Sequence, residues 1–106
     1  MFGKKSDNDM EYFTVYDSVS KTYSEPFPAM NREDCLRDFA NAFRHPEAPQ
    51  KNRYYMNAEH FSIFKNGAYS KRTGQFSTQQ LEHVANLHDI RAMLGESVET
   101  RALSTT

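Results

Sequence analysis

With 106 residues and 12.3 kDa, the chain has room for one domain and too little for two. Hydrophobic residues make up 38% and the mean hydropathy is −0.83, with no apolar run near the roughly 20 residues a spanning helix needs, so a helical membrane protein is excluded. Thirteen basic against 14 acidic residues, with a pI of about 6.4, argue against a general nucleic-acid coat protein, which would be basic across its footprint.

Along the chain, residues 1–10 (MFGKKSDNDM) are polar and lack the apolar stretch of a secretory signal, so a flexible segment is expected there. Glu11–Asp17 (EYFTVYD) alternates Phe13 and Val15 with Tyr12, Thr14 and Tyr16 and predicts a strand. After a turn at 18–21, Thr22–Phe27 predicts a returning strand. Pro26 and Pro28 cannot donate to a ladder, so they end it or hold it at an edge. Asn31 predicts a helix N-cap, followed by Glu33 and Asp34 in the first turn and an apolar stripe of Cys35, Leu36, Phe39, Ala40 and Phe43. That stripe is expected to pack on the sheet face bearing Phe13 and Val15. Pro46 stops the helix near Arg44.

The segment 45–57 holds two prolines and a polar run, and predicts a loop. His60–Phe64 predicts a third strand. Asn66-Gly67 reads as a hairpin turn or as a bulge, and the bulge is preferred because Thr73-Gly74 supplies a turn after Tyr69, with Gln75-Phe76 returning. Ser77 and Gln80 resemble a capping box ahead of Leu81, Val84, Ala85 and Leu87, predicting a second helix over about 79–93 that Gly95 ends. The expected fold is α+β: a small antiparallel sheet of about four strands, one main helix packed on it, and a second C-terminal helix. The domain spans 11–94, flanked by a flexible 1–10 segment and a flexible 95–106 tail.

No residue pattern points to catalysis or to a metal. His45, His60, His83 and His88 lack the spacing that sets two imidazoles on one helical face, and Cys35 has no second cysteine. Glu33 and Asp34 are adjacent on a helix and do not face each other. No enzyme, no cofactor and no metal site is expected. One segment differs from the rest in charge. Residues 44–76 hold six basic and two acidic groups, net +4, whereas 11–43 hold three and six, net −3. Within it Lys51, Arg53, Lys65, Lys71 and Arg72 interleave with Tyr54, Tyr55, Phe61, Phe64, Tyr69 and Phe76. Rings that stack bases and cations that track a backbone make a single-strand surface. A charged solvent face over an aromatic core fits the same residues. As candidate nucleic-acid-binding residues we take Lys51, Arg53, Tyr54, Tyr55, Lys65, Tyr69, Lys71 and Arg72.

Phe13-Thr14-Val15-Tyr16-Asp17-Ser18, Tyr23, Pro26-Phe27, Arg37, Phe39, His60-Phe61-Ser62-Ile63-Phe64, Gly67, Tyr69 and Thr73-Gly74 together resemble the small nonstructural protein of gokushovirus-type microviruses, bacteriophages with single-stranded DNA genomes. The resemblance covers roughly residues 12–76. It implies a non-catalytic nonstructural protein that binds single-stranded DNA during viral genome replication in the host cytoplasm. An alternative is a protein–protein adaptor for a host or viral replication factor. This chain departs from the family at Asn57-Ala58-Glu59-His60, where Pro-Glu-Asp-Tyr is usual. It departs again at Ser70-Lys71-Arg72, where acidic residues are common, and that change makes the segment more cationic.

Overall fold

The computed structural model describes residues 9–104, with side-chain environments through Gly95; residues 1–8, expected to be flexible, lie outside it. The strands are β1 (Met10–Asp17), β2 (Thr22–Tyr23), β3 (Phe27–Ala29), β4 (Phe61–Ser70) and β5 (Gln75–Asn86). The helices are α1 (Arg32–Phe43), α2 (Ala48–Lys51), α3 (Arg53–Met56) and α4 (Leu87–Ser104), with a 3-10 turn at Ala58–His60. The expected α+β class holds. The antiparallel sheet runs β2-β1-β4-β5, and β3 also pairs with β1.

Strict alternation in β1 sends Phe13 and Val15 to one face and Tyr12, Thr14 and Tyr16 to the other. Val15 lies opposite Ile63 and Thr14 opposite Phe64. Helices pack on the first face, where Phe13, Val15, Phe61 and Ile63 meet Cys35, Phe43, Leu87 and Ile90. The predicted second strand is present as two short pieces at the sheet edge, the place that Pro26 and Pro28 allow. Between them Ser24 replaces the ladder. Its N–H donates to the Val15 carbonyl at 2.8 Å, its hydroxyl accepts from Val15 N–H at 2.9 Å, and its carbonyl accepts the Thr14 hydroxyl at 2.7 Å. Thr14 is thereby buried without an orphaned group.

The α1 helix begins as the sequence predicts: Asn31 Oδ1 accepts from the Asp34 N–H at 2.8 Å. Cys35 and Phe43 are buried, with Leu36, Phe39 and Ala40 packed beside them. A chain of edge-on rings then ties the layers together, Phe27–Phe39 at 6.0 Å, Phe39–Tyr54 at 6.0 Å and Tyr54–Phe61 at 4.9 Å between centroids. The expected 45–57 loop contains two single-turn helices; Asn52 caps the second by accepting from Tyr54 N–H at 2.9 Å. Arg91 fastens α4 to this region, donating to the Tyr55 carbonyl at 2.6 Å and to Glu59 at 3.1 Å.

Two expectations are corrected. Residues 77–86 form β5 rather than the start of a helix, and α4 begins only at Leu87. The turn at 71–74, with Gly74 at φ 75°, folds β5 back along β4. Register shifts between Ile63 and Phe64 and between Lys65 and Gly67 break the alternation of β5. Val84 and Ala85 therefore both serve the core side, and Val84-Ala85-Leu87 mimics a helical stripe. Gly95, expected to end the helix, lies inside it, since α4 runs on to Ser104. The preferred bulge at Asn66-Gly67 is present. At the free edge of β5, Arg32 donates to the Val84 carbonyl at 3.3 Å and pairs with Glu82 at 3.5 Å.

Phe13 is fully buried, so Phe13→Ala is expected to cost about 3–5 kcal/mol and to lower the melting temperature severely in a domain whose whole stability is of order 5–15 kcal/mol. A Cβ at Gly67 would stand 2.7 Å from the Ser77 carbonyl oxygen of the paired strand, so Gly67→Ala must pry β4 from β5; denaturant titration should show a loss of about 1–3 kcal/mol. Asp17 is held below the usual carboxylate range chiefly by the Val19 N–H, and Glu59 by its hydrogen bond from Arg91. Depressed carboxylates stabilise fully above their unfolded pKa, near 4, and lose that contribution as pH falls through the folded value. Melting temperature should therefore hold from pH 7 to 5 and drop below about pH 4, with a shallower drop in Arg91→Ala.

Candidate nucleic-acid interface

The candidate residues are placed in three different settings. Tyr54 and Tyr55 are half-buried against the core, Tyr54 on Phe39 and Phe61 and Tyr55 on Phe43 at 5.3 Å. The Arg53 guanidinium lies over the Tyr54 ring and that of Arg91 over the Tyr55 ring, so less of either ring is open to a base than of Phe76 or Tyr23. Arg53 covers the Tyr54 and Phe61 rings at 5.1 Å each and lies 3.9 Å from Asp17. Lys51 pairs with Glu47 one helical turn away. Lys65 sits opposite Phe13, on the helix-covered side, and meets Glu11 at 3.5 Å.

Tyr69, Lys71 and Arg72 are different. Tyr69 shares the other sheet face with Phe76, its register partner on β5, at 4.9 Å. Lys71 and Arg72 occupy the β4–β5 turn immediately beyond, are exposed, and make no ion pair among the described residues.

That second face carries a row of rings crossing four strands. Tyr23 on β2 meets Tyr16 on β1 at 4.7 Å, Tyr16 meets Phe64 on β4 at 6.5 Å, and Phe64 meets His83 on β5 at 5.4 Å. A second group lies nearer the turn, where Tyr12 reaches across the side-chain-free Gly67 to Phe76 at 5.1 Å. Tyr12 and Tyr16 are four residues apart on β1, so the two groups are about 13 Å apart along the strand. Phe76 is 64% exposed and Tyr23 47%. The register positions of this face, Tyr12, Thr14, Tyr16, Ser62, Phe64, Tyr69, Phe76, Thr78 and His83, include no carboxylate. The charged side chains of the sheet, Glu11, Asp17, Lys65 and Glu82, fall on the opposite parity.

Sequence reasoning noted Phe64 and Phe76 among the aromatics of the cationic segment but did not join them to Tyr12, Tyr16, Tyr23 and His83 as one surface. The signal was present in the parity of β1, which separates Tyr12 and Tyr16 from Phe13 and Val15. Placing Phe76 and His83 on the same side needed β5 to be recognised as a strand.

Other reactive groups have local partners. Burial pushes the Cys35 thiol up to about 11, so it is protonated at neutral pH. His45 Nδ1 accepts from the Glu47 N–H at 3.1 Å, His83 bonds Asn86 at 2.9 Å, and His88 lies 3.4 Å from Arg91. Among the described residues no group of three or more His, Cys, Asp or Glu side chains converges in a way that could hold a metal ion, and no helix is long and apolar enough to cross a membrane.

The model of one protein family, described as phage ORF5 protein, matches residues 10–90, a span that contains the whole sheet, α1 and both ring groups. No curated protein and no solved structure matches the chain. With more than half of its length matched, the chain belongs to the phage ORF5 protein family.

Proposed function

We propose that this phage protein is a non-catalytic, nonstructural protein that binds single-stranded DNA during genome replication in the host cytoplasm, and that it does so on the helix-free face of its sheet. One observation carries the reading: two groups of rings on a face without carboxylates, with Lys71 and Arg72 at one end. Exposed rings take bases by stacking, each worth about 1–3 kcal/mol, and the cations take phosphates. A duplex hides its base faces in the stack, so it gains only the phosphate term. The resemblance to gokushovirus-type nonstructural proteins supports the same reading. Lys51, Arg53, Tyr54, Tyr55 and Lys65 then serve the fold, and Tyr69, Lys71 and Arg72 remain at the interface.

A cleft of about 500 Å³ between α1 and α4, lined by Leu36, Ala40, Ala85, Ile90 and the exposed Met93, favours the second reading, an adaptor for a host or viral replication protein. Fluorescence anisotropy with labelled oligonucleotides separates the two. Single strands should bind in the micromolar range and more tightly than duplex. Each phosphate contact contributes about −0.7 to the slope of log K against log salt, so changing Lys71 and Arg72 to Ser should flatten it by about 1.4. Phe76→Ala and Tyr23→Ala should weaken binding by about 1–3 kcal/mol each and leave the slope unchanged. Absence of binding at low salt by folded protein at high concentration would overturn the DNA reading and leave the adaptor.

A further inference from the structure

The cavity beside Tyr12 and Phe76 has features of a receptor for one ring rather than of an open stacking platform. It measures about 170 Å³ and is lined by Tyr12, Pro26, Asn66, Gly67, Phe76 and Thr78. A cavity near 150 Å³ accepts one benzene ring, so this slightly larger and open one has room for one flat base and not for two stacked on each other. Its walls are two aromatic rings and a proline. Gly67 is part of its lining and contributes no side chain to fill it.

Asn66 supplies the polar edge. It is the residue that the register skips between Lys65 and Gly67, it lines the cavity, and among the described residues its side-chain amide makes no hydrogen bond. An amide presents a donor and an acceptor side by side. That pattern matches the N6 amino group and N7 of adenine. Lys71 and Arg72 follow Tyr69 in the adjacent turn, where the phosphate of the same nucleotide can be met.

We propose that this cavity is a single-base pocket with a preference for adenine, occupied by one base of a single strand turned out of its own stack. The proposal rests on the single-strand reading of the sheet face and adds a base-specific element to it. The test is a competition series with a short oligothymidine strand carrying, at one central position, adenine, cytosine, guanine or an abasic site. Adenine should bind about five-fold or more tighter than thymine, and the abasic strand more weakly than any. Asn66→Ala should bring the four bases to equal affinity while retaining the melting temperature and the binding of the all-thymine strand. Phe76→Leu, at an exposed position, should erase the difference between the abasic strand and the rest. Equal binding of all five strands by the wild-type protein would overturn the pocket and leave the stacking face standing. Failure of every strand to bind would overturn the face and the pocket together.

Discussion

The cross-strand pair of Val15 and Ile63 sets what every other side chain in the sheet does. In a pleated pair a shift of one residue exchanges the two faces. With Val15 against Ile63, Phe13 and Phe61 are turned toward α1 and α4, and Tyr12, Tyr16 and Phe64 are turned away from them. A chain this short has helices enough to cover one side of its sheet. The uncovered side carries two groups of rings and, at its register positions, no lysine or glutamate, where a solvated antiparallel face is ordinarily polar. Pairing that builds the core therefore also builds the exposed aromatic surface. At Asn66 the register of β4 against β1 shifts by one residue, and the bulge keeps the two faces in phase on either side of it.

Charge in this protein follows the same division of labour. The net positive stretch at 44–76 looks like one patch in the linear sequence, yet folding disperses it. Arg53 is laid over Tyr54 and Phe61 beside Asp17, Lys65 is matched by Glu11, and Lys51 by Glu47. A guanidinium on a ring face contributes packing as well as charge, so Arg53 acts chiefly as a brace between α3 and the sheet. At the far end of the β4–β5 hairpin, Lys71 and Arg72 are exposed and make no ion pair among the described residues.

Local rules in the sequence were sufficient for β1, for the cap and stripe of α1, and for the edge position imposed by Pro26 and Pro28. Each depends on neighbours within a few residues. What could not be read was set by contacts across the sheet. Val84 and Ala85 share a side because of a bulge whose partner residues lie some twenty positions earlier, and the polar run Ser77–Gln80 is a strand because Ala68 and Gly67 lie beside it. Tyr54 and Tyr55 show the same limit at the interface. Nothing in Arg-Tyr-Tyr-Met distinguishes rings facing solvent from rings wedged between Phe39, Phe43 and Phe61; the single-turn helix capped by Asn52 decides it. The ring groups on the open face were legible only in part, through the alternation of β1.

The fastening of Arg32 to Val84 bears on how copies of this chain coexist. β5 is the outermost strand, and its 12 residues include no proline and no lysine, the residues that commonly discourage a sheet from adding strands. Its protection is geometric. Around 79–81 the backbone falls out of phase with a straight strand, and near 84 a carbonyl is already taken by the first turn of α1. A neighbouring chain that tried to extend the sheet would find short, interrupted stretches of free hydrogen-bonding groups instead of a continuous template. The irregularities that disguised β5 as a helix in the sequence are thus also what keeps the sheet finite.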